Sequence, residues 1–124
     1  MTLLVIVYAL NGTLLLLHEI ESAFEKEWEL LRLPGGITGF LAFHVPIVLL
    51  LFYGLIESHK GSTTGTVLGL VFALGGTMPF IVHELLLRHR DHFNRIGSRI
   101  IVYLNLAAGI VLFIITVFAL FHEK

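Results

Sequence analysis

The sequence predicts an all-α integral membrane protein, a bundle of four transmembrane helices, and three observations lead there. Hydrophobic residues make up 56% of the chain and charged residues only 14%, with a mean hydropathy of +0.92; soluble domains carry roughly 25% charged residues. A soluble chain of 124 residues could not hide that much apolar surface, because small domains bury the smallest fraction of theirs. Finally, the stretches 1–18, 33–56, 61–83 and 100–122 contain no Asp, Glu, Lys or Arg. About 20 helical residues cross the ~30 Å hydrocarbon core, and these runs are continuous rather than alternating, which excludes the strands of a membrane barrel. The absence of cysteine excludes disulfides, thiolate ligands and thiol nucleophiles.

One transmembrane domain spanning 1–124 is expected, with helices at about 2–24, 37–56, 66–87 and 100–121. The first apolar run lacks a basic leader and a small-x-small cleavage site before His18, so it reads as a retained helix. The charge-free part of that run is short, and the helix is expected to continue through Glu19, Ile20 and Glu21 to about Phe24. Residues 22–33 then place Ala23, Phe24, Trp28 and Leu31 at helical spacing among charges. This is an amphipathic segment with an interfacial tryptophan, in which Glu25, Glu27 and Glu29 are expected to be solvated. Pro34-Gly35-Gly36 stops it. The second helix carries His44 and Pro46. In the third, Gly65, Gly69, Ala73 and Thr77 recur every four residues, a small-residue stripe that serves either a homodimer face or packing inside the chain. The segment 88–99 is the most basic, and the fourth helix carries Tyr103 and Asn105.

Lys26, Arg32, Arg88, Arg90, Arg95 and Arg99 fall on one side of this layout, and only Lys60 and Lys124 on the other. By the positive-inside rule the first side is cytoplasmic and both termini lie outside the cytoplasm, in a bacterial inner membrane. The two halves also resemble each other. Asn11-Gly12-Thr13 leading to His18-Glu19 compares with Gly75-Gly76-Thr77 leading to His83-Glu84, which suggests two pseudo-repeated helical hairpins of the same orientation.

The chemistry-bearing residues are ionisable groups inside or beside apolar runs, which are functional candidates because burying them in hydrocarbon is unfavourable. His18, His44 and His83 lie five to seven residues inside the expected cytoplasmic boundary, about 8–10 Å deep at 1.5 Å per residue. Glu21 and Glu84 accompany them as candidate metal ligands, with Glu19, Tyr103 and Asn105 behind them. Imidazoles and carboxylates on facing helices are how bundles build metal sites, and this donor set suits Zn²⁺ or Fe²⁺. The His-Glu-x-x-His motif of zinc proteases is absent. Taken singly, His18 and His83 read first as hydrogen-bonded packing or headgroup-level residues, whereas His44 lies deeper in its apolar run and fits that reading less well. His59, His89, His92 and His122 lie in or beside aqueous segments.

The run His18-Glu19-Ile20-Glu21, followed by Glu27-Trp28-Glu29-Leu30-Leu31-Arg32-Leu33-Pro34-Gly35-Gly36 and then Gly39-Phe40 and His44, resembles a family of small, uncharacterised bacterial four-helix membrane proteins. It is more loosely similar to predicted membrane proteins named for a His-x-x-Glu-Glu motif, whose last glutamate is Ser22 here. The resemblance implies the four-helix layout and no particular activity.

Three functions fit these residues. One is a membrane-embedded His/Glu metal-binding protein, as an enzyme or redox partner for a lipid-soluble substrate. Another is a small proton-coupled or cation transporter or channel subunit using the same polar layer. The third is a non-catalytic oligomeric scaffold. The expected partners are the lipid bilayer and a second copy of the chain, as a dimer, with no nucleic acid.

Overall fold

The computed structural model describes residues 2–86 and 96–122. Helix α1 (Leu3–Phe24) starts where the Thr2 hydroxyl accepts the Val5 N–H at 3.4 Å. After α1 the backbone enters the left-handed region at Lys26 (φ 51°) and reverses into the short helix α2 (Glu27–Leu30). Arg32 (φ 56°) and Gly35 (φ 95°) bring the chain into α3 (Gly36–His59). A Cβ at Gly35 would lie 2.9 Å from the Gly39 Cα, so both the conformation and the space call for glycine there.

Ser62 caps α4 (Thr63–Phe80), its hydroxyl accepting the Gly65 N–H at 3.1 Å. Beyond Pro79 and Phe80 the helix widens to turns closed by i→i+5 hydrogen bonds over Ile81–Leu86. Helix α5 (Ile96–His122) is the last described element. Four segments, Leu3–Phe24, Gly36–His59, Thr63–Leu85 and Gly97–His122, are long and apolar enough to cross a membrane, and among the described residues there is no strand. The protein is an all-α integral membrane bundle. All four spans extend beyond the charge-free stretches, because charged residues at a helix end that reaches water do not stop the helix. Of the basic segment, residues 88–95 lie outside the described residues, including His89 and His92.

Helix α4 sits centrally, packed on α5, α3 and α1, while α5 also packs on α1. Small residues set these approaches. A Cβ at Gly69 would come within 2.6 Å of Thr116 Cγ2 on α5, and one at Gly65 would strike the Ser58 backbone on α3. Ala73 is fully buried, with its carbonyl oxygen 2.8 Å from where a Gly109 Cβ would stand. The small-residue stripe is therefore occupied in closing the bundle on itself.

Tyr8, Leu51, Phe72, Ala73 and Leu112 form the apolar core. Threaded through it are polar side chains that link helices, as a medium without water requires. The Tyr8 hydroxyl donates to the Leu51 carbonyl at 3.1 Å, Asn11 Nδ2 to the Phe72 carbonyl at 2.8 Å, and Asn105 Nδ2 to Asn11 Oδ1 at 3.1 Å. Large apolar residues such as Leu10, Leu49, Ile114 and Phe118 cover the outside.

Candidate functional site

The polar end of the bundle is assembled by the reversal at Lys26. Had α1 simply continued, residues 25–33 would project into water. Instead α2 folds back, Trp28 is buried and lies 5.4 Å from the Phe40 ring, and Glu27 is turned under the ends of α1 and α4 with only 5% of its surface exposed.

There it meets two imidazoles. His18 Nε2 of α1 lies 3.9 Å from one Glu27 carboxylate oxygen, and His83 Nε2, on the widened turns after α4, lies 3.7 Å from the other. The two rings are 4.9 Å apart, edge to face. All three side chains are buried, and one ligand atom from each falls within 4.8 Å of the others. Among the described residues no Lys or Arg reaches Glu27, whose ion-pair contacts are to the two imidazoles. Its carboxylate also accepts a short hydrogen bond from the Ser22 hydroxyl. His18 Nδ1 is buried with no hydrogen-bond partner among the described residues, so no contact there fixes which nitrogen of that ring carries the proton.

These separations exceed hydrogen-bonding distance. They are close to the ~3.3 Å between ligand atoms that roughly 2.0–2.1 Å bonds give around a tetrahedral ion. One ligand atom from each residue would have to draw together from within 4.8 Å toward that spacing, by side-chain adjustments of up to about an ångström, for one cation to bind all three.

His44 takes part in a neighbouring pair. Its Nδ1 faces the Phe40 carbonyl at 2.7 Å and its Nε2 faces Glu19 at 2.8 Å. A carbonyl only accepts, so Nδ1 carries a hydrogen, and the contact to Glu19 then holds one proton between Nε2 and the carboxylate oxygen. Whichever atom bears that proton, the pair is neutral overall. His18 and Glu19 part company because successive helical residues are about 100° apart around the axis; the first faces α4 and the second faces α3.

The other candidates lie around this group. Glu21 accepts a short hydrogen bond from the Ser98 hydroxyl in the first turns of α5. Glu84 is half-buried next to His83, Tyr103 is half-exposed with its ring edge-on to Phe80 at 5.7 Å, and Asn105 is engaged with Asn11 in the core. Glu27, expected in water, is the residue that sequence reasoning missed. The available signal was the short connector: the stop at Pro34-Gly35-Gly36 leaves few residues to carry the chain from α1 to α3, close under both helix ends.

Burial pushes the Glu27 carboxyl above the usual carboxylate range, against the opposing pull of the Ser22 hydroxyl. The raised value favours the protonated folded state, so a cation has to displace that proton. Cation affinity is expected to strengthen as pH rises through the raised value and to level off above it. Without a cation the sign reverses: the contribution of Glu27 to stability is fully present below its unfolded pKa and is lost as pH rises through the folded one. Thermal unfolding of metal-stripped and metal-loaded protein across that range checks both trends, and parallel curves would contradict them.

Fold and site together define a four-helix membrane protein with a buried His–Glu–His cluster at one end of the bundle. The chain belongs to a family of unknown function, DUF6713, whose sequence profile matches residues 4–119. No curated protein and no solved structure matches it.

Proposed function

We propose that the protein is a membrane-embedded cation-binding protein in which His18, Glu27 and His83 hold one divalent ion, zinc or ferrous iron. The observation that carries this reading is the convergence of three buried ligand groups from three separate elements, with one ligand atom of each within 4.8 Å of the others. A carboxylate buried without a Lys or Arg is unfavourable unless it takes up a proton or gains a cation. Two imidazoles and one carboxylate match the three-ligand sets of catalytic zinc and of non-haem ferrous sites, both of which keep a position open for substrate or water. The tight approach of Gly76 to Asn11 and Gly109 farther along the bundle favours a binding site at one end over a conducting pore. Elemental analysis of the purified protein tests the reading: about one zinc or iron per chain is expected, and metal-free protein that also fails to bind added Zn²⁺ or Fe²⁺ overturns it.

The six-to-two excess of Lys and Arg supports the further proposal that the cluster faces the cytoplasm across a bacterial inner membrane, with both termini outside the cytoplasm. An alkaline phosphatase fusion after Lys124 is expected to be active, and activity confined to a cytoplasmic reporter at the same position would reverse the topology.

A further inference from the structure

Beside the cluster lies a cavity of about 510 Å³, within the roughly 300–1,000 Å³ of small-molecule sites. His18 and Glu27 belong to its wall as well as to the cluster, and Glu19 and His44 stand on the same wall. The rest of the lining is mainly apolar and aromatic, including Leu15, Phe40, Phe43 and Met78. Phe43, at 64% exposure, opens the cavity toward the outside of α3. An ion held by the cluster would therefore turn its open position toward an apolar chamber that meets the bilayer.

We propose that this cavity binds a long-chain carboxylate, its head on the open position of the cation and its chain along the Phe40–Phe43 wall. The inference rests on the cation reading above. Charge selects the head: a divalent ion with the Glu27 carboxylate leaves one positive charge, and the Glu19–His44 pair, sharing one proton, is neutral and does not offset it. Among the described residues the carboxylates on this wall are Glu19 and Glu27 alone, and an uncompensated charge in so apolar a place is unfavourable. A carboxylate head supplies the missing ligand atom and the missing charge together. The apolar lining selects a chain in place of a small hydrophilic acid, and the bilayer is where such molecules are concentrated.

The chain carries its own reporter, since Trp28 is its only tryptophan and lines the cavity. Full-length zinc-loaded protein in nanodiscs of saturated phosphatidylcholine is titrated with dibromostearic acid while Trp28 emission is followed. Saturable quenching is expected, with at least about tenfold weaker binding of the methyl ester. Quenching should be reversed by a chelator and lost in Gly75→Leu, with metal content retained. That variant fills the cavity from a position whose Cβ meets only Leu15 Cδ1 at 3.7 Å, an ordinary contact. Equal quenching by acid and ester, matching quenching by brominated phosphatidylcholine alone, or acid binding that survives chelation would each overturn the inference. Elemental analysis of the same samples separates the failures. Metal present without selective quenching sinks this inference and leaves the cation site standing, whereas absence of metal sinks both.

Discussion

Replacing Glu27 by Gln is expected to strip the bound cation while leaving the bundle folded. Glutamine keeps the shape of the side chain and a partner for the Ser22 hydroxyl, but its amide is a poor ligand beside two imidazoles. Outer partners of metal ligands typically change affinity by about 10–100-fold when removed, so loss of the only carboxylate in the cluster should exceed about 100-fold. The folded protein without metal should be no less stable than the parent, because the substitution removes a buried ionisable group that burial already disfavours. Glu29→Gln, two residues along the chain and exposed, is the control and should bind normally. Calorimetric titration with Zn²⁺ reads both variants, and undiminished affinity in Glu27→Gln would remove Glu27 from the site.

The largest loss of stability is expected from Gly76→Leu. A Cβ there would run into Asn11 Oδ1 and stand 3.1 Å from the Gly109 Cα and 3.2 Å from the Asn105 carbonyl oxygen. Most of these neighbours are backbone, which cannot swing aside as a flexible side chain can. Overpacking alone typically costs about 1–3 kcal/mol. Displacing Asn11 would also break its bonds to the Phe72 carbonyl and to Asn105, each contributing about 0.6 kcal/mol by the average for membrane proteins. The sum, about 2–4 kcal/mol, should lower the thermal unfolding temperature in detergent far below that of Gly97→Ala, whose added Cβ meets nothing within 4 Å. Equal stability of the two variants would show that α4 and α5 approach less closely than described.

Much of this architecture was legible in the chain. The four spans follow from where charge is missing, and the small residues of α4 pointed to close helix packing. His18 and His83 stood out because each ends an apolar run. Their meeting through Glu27 was not legible, because charge pattern alone assigns a glutamate in a charged segment to water. Its burial depends on a left-handed conformation at Lys26, which a lysine does not announce as a glycine would. Likewise, Glu21 shares a helix face with His18 in projection, yet its partner is Ser98, more than seventy residues away in the chain. The widened turns that present His83 follow Pro79. A proline signals a disturbed helix but does not specify which side chain it re-aims.

The central claim is the location of a cation between His18, Glu27 and His83. It is tested most directly by anomalous diffraction at the zinc and iron absorption edges from crystals of the purified protein. The account predicts a single anomalous peak about 2.0–2.2 Å from His18 Nε2, His83 Nε2 and a Glu27 carboxylate oxygen. A peak at Glu19–His44, at Glu21, or in the basic segment instead, with the His18–Glu27–His83 group unliganded, would contradict it.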